Sequence, residues 1–316
     1  MCRHFAYLGP PASLRSLLID PPHSLYRQAW AARLQRHGKV NADGFGIGWY
    51  SGADPVPARY RRGEPIWGDP SLPDFARVTS SGAVLAAVRS ATPGTAAGPE
   101  AAAPFGSGPW LFSHNGAARG WRDWGEAAFL SSAGERRTLL SCLEALTDSA
   151  VLWALTRQRL RAGLPLDAAL AGTVGAVAAA GGTGRLNLLL TDGRSVAATA
   201  CGDTLWYRHA GREGAGGDGA GGDGAGRDGA ASVTVASVTV ASEPDDDEPG
   251  WTEVPDGHVL TATRSLARVR PLSDLSTLSD LSALSDLPDI QATDHVPAQA
   301  TDHVPARATT YVPKGS

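Results

Sequence analysis

The chain is poor in cysteine, in lysine and in long apolar runs, and each shortage removes a class of function. Three cysteines, Cys2, Cys142 and Cys201, are scattered through 316 residues. So sparse and odd a set builds no disulfide framework and points to a reducing, cytoplasmic compartment. No run approaches the roughly 20 apolar residues that cross a bilayer. The opening MCRHFAYLGPP has neither the basic nor the apolar stretch of a secretory leader. A soluble protein without a membrane partner is expected. Lysine occurs only at Lys39 and Lys314, and the formal net charge of −4 offers no electrostatic reason for a nucleic-acid partner. The histidines lack metal-ligand spacing, and His295 and His303 merely echo a tail repeat, so neither a metal nor another cofactor is expected.

Against these shortages stands a hydrophobic content of 42 %, ample for a packed core. Short runs rich in aromatic and β-branched residues predict strands at His4–Leu8, Phe45–Tyr50, Ala83–Val88 and Trp110–Ser113. Helical spacing of Leu, Val and Trp follows over Arg136–Leu146 and Ala150–Arg161, then an Ala-rich helix over Leu166–Ala180 that stops at Gly181-Gly182. Strands return at Leu186–Thr191 and Ser195–Ala200, joined through the hairpin dipeptide Asp192-Gly193, and continue at Leu205–His209, Ser232–Ala241 and His258–Thr263. Strands, then helices, then strands is an α+β order rather than βαβ alternation. Residues 212–231 are built from Gly, Ala and Asp in near-repeats of GAGGD, with nothing to bury, and predict a flexible surface loop. From 271 to 316 the chain repeats LSDLS and then ATDHVPA. Leucines three apart drift around a helix instead of forming one stripe, so this segment reads as a disordered tail. One domain over residues 2–270 results.

Cys2 is the first candidate for chemistry. An initiator methionine before so small a residue is normally removed, which would leave a thiol and a free α-amine on one residue. The amine has a reference pKa of about 7.7–8 and the thiol about 8.5, so the amine can accept the thiol proton and later protonate a leaving amine. Three further segments bear on it. In Asn41-Ala-Asp-Gly-Phe-Gly-Ile-Gly-Trp-Tyr50, glycines alternate along a strand, either for close backbone approach or to let the strand pass beneath the thiol. Arg89 leaves a strand core in RSATPG; it suits a substrate carboxylate, or a plain salt bridge. In Ser113-His-Asn-Gly116, the Asn amide and a Gly N–H can point at one oxygen, though Asn-Gly is also a common turn.

In order and spacing, with Cys2 at the start, these segments resemble the class II glutamine amidotransferases, N-terminal nucleophile hydrolases with a four-layer αββα sandwich. The resemblance implies Cys2 as nucleophile and, through its amine, as base. It implies Asn115 and Gly116 as the oxyanion hole, and Arg89, Thr92 and His114 on the substrate, with Arg89 holding the α-carboxylate. Asp148 in LTDS would bind the α-amine, although an Asp there is also read as a helix N-cap. Further segments (PPHSLYRQAW, RYRRGEPIW, PWLFSHNG, LTDSAVLWAL, SEPDDDEPGWTEVPDGH) resemble a branch of that family, the γ-glutamyl hydrolases acting on hercynylcysteine sulfoxide conjugates. The branch implies a small-molecule γ-glutamyl amide as substrate and no obligate synthetase partner. The trimethylammonium group of such a substrate suggests an aromatic cage, with Trp110, Trp121 and Trp124 as candidates. A glutaminase feeding ammonia to a separate synthetase, or a non-catalytic γ-glutamyl-binding protein, are the alternatives.

Overall fold

The computed structural model describes residues 2–92, 94–128, 143–210 and 236–276. Two antiparallel sheets lie face to face. Among the described residues the first has seven strands and the second six. In the first, β1 (Arg3–Ser13) is central, flanked by β10 (Ser237–Ala241) and β4 (Ser80–Val88). Beyond them lie β9 (Trp206–Ala210) and β11 (Thr252–Glu253) on one side, β2 (Phe45–Ser51) and β3 (Asp54–Arg62) on the other. The second comprises β5 (Phe105–Ser107), β6 (Trp110–Arg119), β7 (Thr183–Thr191), β8 (Val196–Ala200), β12 (His258–Ala262) and β13 (Ala267–Pro271).

Period-2 alternation sorts each strand between two apolar layers. Ala6 and Leu8 of β1, Leu111 of β6, Leu189 of β7 and Val238 and Val240 of β10 fill the space between the sheets. The odd-numbered Phe5 and Tyr7 turn outward, under α1 (Leu14–Leu18), α2 (Leu25–Ala31) and α3 (Leu72–Val78). On the far face, Phe112, Leu186, Leu188 and Leu190 pack under α4 (Trp121–Ala128), α5 (Asp148–Arg161) and α6 (Leu166–Ala179). The order helix, sheet, sheet, helix is the sandwich that the resemblance implies.

The alternating glycines of β2 take the close-approach role. A Cβ at Gly48 would sit 2.6 Å from Leu111 Cδ1, and one at Gly46 would collide with the Ala103 carbonyl oxygen, so the second sheet packs directly on this strand. Two expectations change, and parts of others lie outside the described residues. The helix over Arg136–Leu146 lies outside the described residues up to 142, and Leu143–Leu146 is not helical. The strand over Ser232–Ala241 is described only from 236, and the 212–231 loop falls outside the description. The fold also does not stop at 270. Pro271 closes β13, α7 (Ser273–Ser276) adds a turn, and Leu275 is buried against Ala171 and Val259. Apolar leucine with a neighbouring pocket outweighs a repeat that has no stripe of its own. The rest of the tail, 277–316, lies outside the described residues.

Candidate active site

Cys2 sits at the entrance to β1, half-buried, with its Sγ 4.0 Å from the Ser90 carbonyl oxygen. Because β1 pairs with β4 in register Arg3↔Val88, the thiol emerges beside the loop that follows β4. Burial pushes the thiol pKa up, while the ammonium at the chain start, the Ser90 contact and the Arg89 charge pull it down and Asp148 adds to the rise. Arg89 and Asp148 are thus both electrostatic neighbours of the sulfur.

Arg89 is 7 % exposed. Its guanidinium donates to the Asp43 carbonyl (3.1 Å), Thr95 Oγ1 (3.2 Å) and the Ala96 carbonyl (2.8 Å). All three acceptors are neutral, and among the described residues no carboxylate pairs with it. The loop around it is tied by Ala91 N–H donating to Asp43 Oδ2 and Thr95 Oγ1 donating to the Thr92 carbonyl. Thr92 itself is exposed at the mouth, where Arg122 of α4 reaches the Gly94 carbonyl at 2.9 Å.

Asp148 is the first residue of α5, but it is not the N-cap. That position belongs to Thr147, whose Oγ1 accepts from Ala150 N–H. The carboxylate is therefore free to leave its own helix. Oδ2 accepts from Ala118 N–H of β6 at 2.9 Å, and Oδ1 from Ser149 N–H at 2.8 Å. No described cation pairs with it, although it is buried.

β6 divides the Ser-His-Asn-Gly segment between its faces. Asn115 points into the space between the sheets, fully buried, with Nδ2 3.3 Å from Ser242 Oγ and Oδ1 without a partner among the described residues. His114 points to the helix side, where Nδ1 meets Ser149 Oγ (3.0 Å) and Nε2 meets the Arg185 carbonyl (2.9 Å). A carbonyl only accepts, so Nε2 carries a proton and donates to Arg185, while Nδ1 shares a hydrogen bond with the Ser149 hydroxyl. With both nitrogens engaged, His114 braces β6 against α5 and β7; a direct substrate contact would require breaking one of these bonds. Gly116 is compelled by space, since a Cβ there would overlap the Arg185 carbonyl oxygen and approach His114 Nε2 to 2.7 Å.

The tryptophan cage does not assemble. Trp110 and Trp121 stand at opposite ends of β6, ten residues that span about 30 Å. Trp124 is packed in the core with Nε1 donating to the Arg119 carbonyl, and Arg122 covers the Trp121 ring at 4.3 Å. A cavity of about 760 Å³ opens at the far end of the sandwich, lined by Pro11, Tyr50, Gly82, Trp110 and Arg264 among others; Trp110 alone of the residues singled out from sequence borders it, and Cys2, Arg89, Thr92, His114, Asn115, Gly116 and Asp148 do not. Two residues at the Cys2 end escaped the sequence reading. Ser242 bonds both β1 and Asn115, and His4 stands fully buried two residues from Cys2, its pKa pushed down to about 3 by burial and by His114 and Arg3. A serine ending the strand that pairs with β1 was the available signal for the first.

Residues 23–269 match the family described as class II glutamine amidotransferases. The chain is 39 % identical to the γ-glutamyl-hercynylcysteine sulfoxide hydrolase of Mycolicibacterium smegmatis over 86 % of its own length and 100 % of that protein. It is 37 % identical to the Mycobacterium tuberculosis protein of the same name, over 84 % and 94 % of the two chains. Among solved structures, a glutamine aminotransferase class-II domain protein from Silicibacter pomeroyi shares the fold with a TM-score of 0.55 at 24 % identity, over 85 % of this chain and 99 % of that one. An αββα sandwich with a thiol at the head of its central strand, matched over most of its length, makes this chain a member of the class II glutamine amidotransferase family.

Proposed function

We propose that the protein hydrolyses the γ-glutamyl amide of γ-glutamyl-hercynylcysteine sulfoxide to glutamate and hercynylcysteine sulfoxide, with Cys2 as nucleophile. The observation that carries this reading is the pair of opposite charges beside the thiol. Arg89 and Asp148 are both buried, and neither has an ionic partner among the described residues. Buried charges are costly unless paired, so the site is complete only when a ligand brings both counter-charges. A γ-glutamyl group does so with its α-carboxylate and α-ammonium, which places its γ-carbonyl toward Cys2. The leaving half is taken from the names of the relatives that are 37 to 39 % identical.

With Met1 removed, the Cys2 amine takes the thiol proton and the thiolate attacks the γ-carbonyl carbon. The oxyanion collects hydrogen bonds from Asn115 Nδ2 and the Gly116 N–H, each such donor contributing about 3–4 kcal/mol to the transition state. The amine passes its proton to the departing nitrogen, leaving a glutamyl thioester. Water then gives a proton to the amine, attacks the thioester and releases glutamate and the Cys2 thiol. The Arg89 fork selects a carboxylate in one plane. The protein works in the cytoplasm on a small molecule and without an obligate synthetase partner; the sparse, odd set of three cysteines in the sequence supports a reducing compartment.

The test is glutamate release from γ-glutamyl-hercynylcysteine sulfoxide and from glutamine in parallel, with Cys2→Ala as control. Strong preference for the first substrate, lost in the variant, is expected. Preference for glutamine would transfer the chemistry to ammonia supply, and release by Cys2→Ala would remove the nucleophile. A form that retains Met1 is expected to be inactive, because its Cys2 nitrogen is an amide.

A further inference from the structure

Ser242 follows β10 and stands where the two sheets meet at the Cys2 end. Its N–H donates to the His4 carbonyl at 3.0 Å, and its Oγ accepts from the His4 N–H at 3.0 Å, locking it to the strand that carries the thiol. Thr204 Oγ1 holds its carbonyl at 2.7 Å. The same Oγ lies 3.3 Å from Asn115 Nδ2 on the opposite sheet. Ser242, His4 and Asn115 are all 0 % exposed.

The hydrogen inventory of this cluster does not close as placed. A serine hydroxyl has one proton and two lone pairs. Here both lone pairs face donors, the His4 N–H and Asn115 Nδ2, while the proton has no acceptor among the described residues. Asn115 Oδ1 is buried and has no donor. Half a turn of the carboxamide pairs the two orphans, because the oxygen and nitrogen of an Asn side chain are exchanged by that rotation. The hydroxyl then donates to Oδ1, and both Nδ2 hydrogens are left for an incoming oxygen.

We infer that Ser242 is a positioning residue for Asn115: its hydroxyl, anchored by the His4 N–H, donates to Asn115 Oδ1 and turns the amide N–H groups toward the γ-carbonyl oxygen under attack. This rests on the reading of Asn115 as an oxyanion donor. One serine thereby sets the amide of β6 in register with the thiol of β1, two strands of different sheets.

The experiment compares steady-state glutamate release from one γ-glutamyl substrate by the wild type, Ser242→Ala, Ser242→Cys, Asn115→Ala and the Ser242→Ala/Asn115→Ala double variant. Ser242→Ala is expected to lower kcat about 10- to 100-fold, with KM within about twofold, less than the loss from removing a donor outright. Ser242→Cys, which keeps the shape but donates weakly, is expected to fall between that variant and the wild type. The double variant is expected to be no slower than Asn115→Ala alone, since Ser242 acts only through that amide. Unchanged alkylation of Cys2 by iodoacetamide reports an intact fold and thiol in each protein. Wild-type kcat in Ser242→Ala, or in Ser242→Cys where the alanine variant does not fold, overturns the inference. So does a double variant whose losses multiply. Wild-type kcat in Asn115→Ala overturns the oxyanion reading instead, and is distinguishable because it does not depend on Ser242.

Discussion

Two neighbouring helices of 14 residues each, α5 and α6, carry a buried aspartate in the first turn, Asp148 at the first position of α5 and Asp167 at the second of α6, and the two aspartates live differently. Asp148 and Asp167 are each 6 % exposed. Both accept from the N–H of the next residue and both enjoy the positive end of a helix dipole. Asp167 also accepts from Thr261 Oγ1 of β12 and is paired with the Arg270 guanidinium of β13. Beyond Ser149, Asp148 accepts from the Ala118 N–H, and it has no cation among the described residues. The first is a staple that holds a helix to the sheet edge, complete in itself. The second is a buried carboxylate beside a thiol without a described counter-charge, the place that the proposed substrate ammonium would take. Burial and helix position alone do not separate the two carboxylates; the presence of a counter-charge does.

The most direct way to break this comparison is Asp148→Asn. Loss of one partner from a buried pair costs about 2–5 kcal/mol, which lowers kcat/KM by roughly 30- to 4000-fold, with stability little changed. An Asp148→Asn enzyme with full kcat/KM would make the two aspartates equivalent. Arg89→Lys should follow, raising KM by about 10- to 100-fold, because one ammonium replaces a planar fork and hydrogen bonds to a charged group contribute about 1.5–3 kcal/mol. An unchanged KM would move the carboxylate site elsewhere.

Acid should strike the Cys2 end through His4. Its folded pKa of about 3 lies below the usual value of 6.5, so the unfolded chain takes up the proton first. Stability is therefore whole above pH 6.5 and falls on acidification toward about 3, at about 1.4 kcal/mol per pH unit for one proton. Denaturant melts between pH 7.5 and 4 should show this slope in the wild type and a shallower one in His4→Phe. Equal slopes would clear His4. The smallest effect belongs to Asp167→Asn. Arg270 is 45 % exposed, so water screens the pair, and about 1 kcal/mol of stability should be lost with kcat/KM within twofold. A large change in activity there would erase the distinction between the two helix starts.

Much of the sandwich was legible in the chain because alternation and helical spacing are local. β1, β2, β7, β8 and β12 appear where the apolar runs place them, and α5 and α6 agree within two residues at each end. β3 was missed because Pro55, Pro57 and three arginines disguise it; as the terminal strand of its sheet it tolerates prolines that an inner strand would not. α1, α2 and α3 were missed because five to seven residues carry less than two turns of pattern. Their stability comes from the layer beneath them.

The sequence by itself determined the chemical inventory: a thiol at the second position, an arginine leaving a strand, an Asn-Gly pair and an aspartate at a helix start. Tertiary structure decided what each is free to do. Arg270 lies 103 residues from the aspartate it neutralises, and Ser242 lies 127 residues from the amide it touches. Neither pairing leaves a trace in local periodicity. A charge or an amide becomes functional by what the fold withholds from it as well as by what it is, and only the packed chain says which partners are withheld.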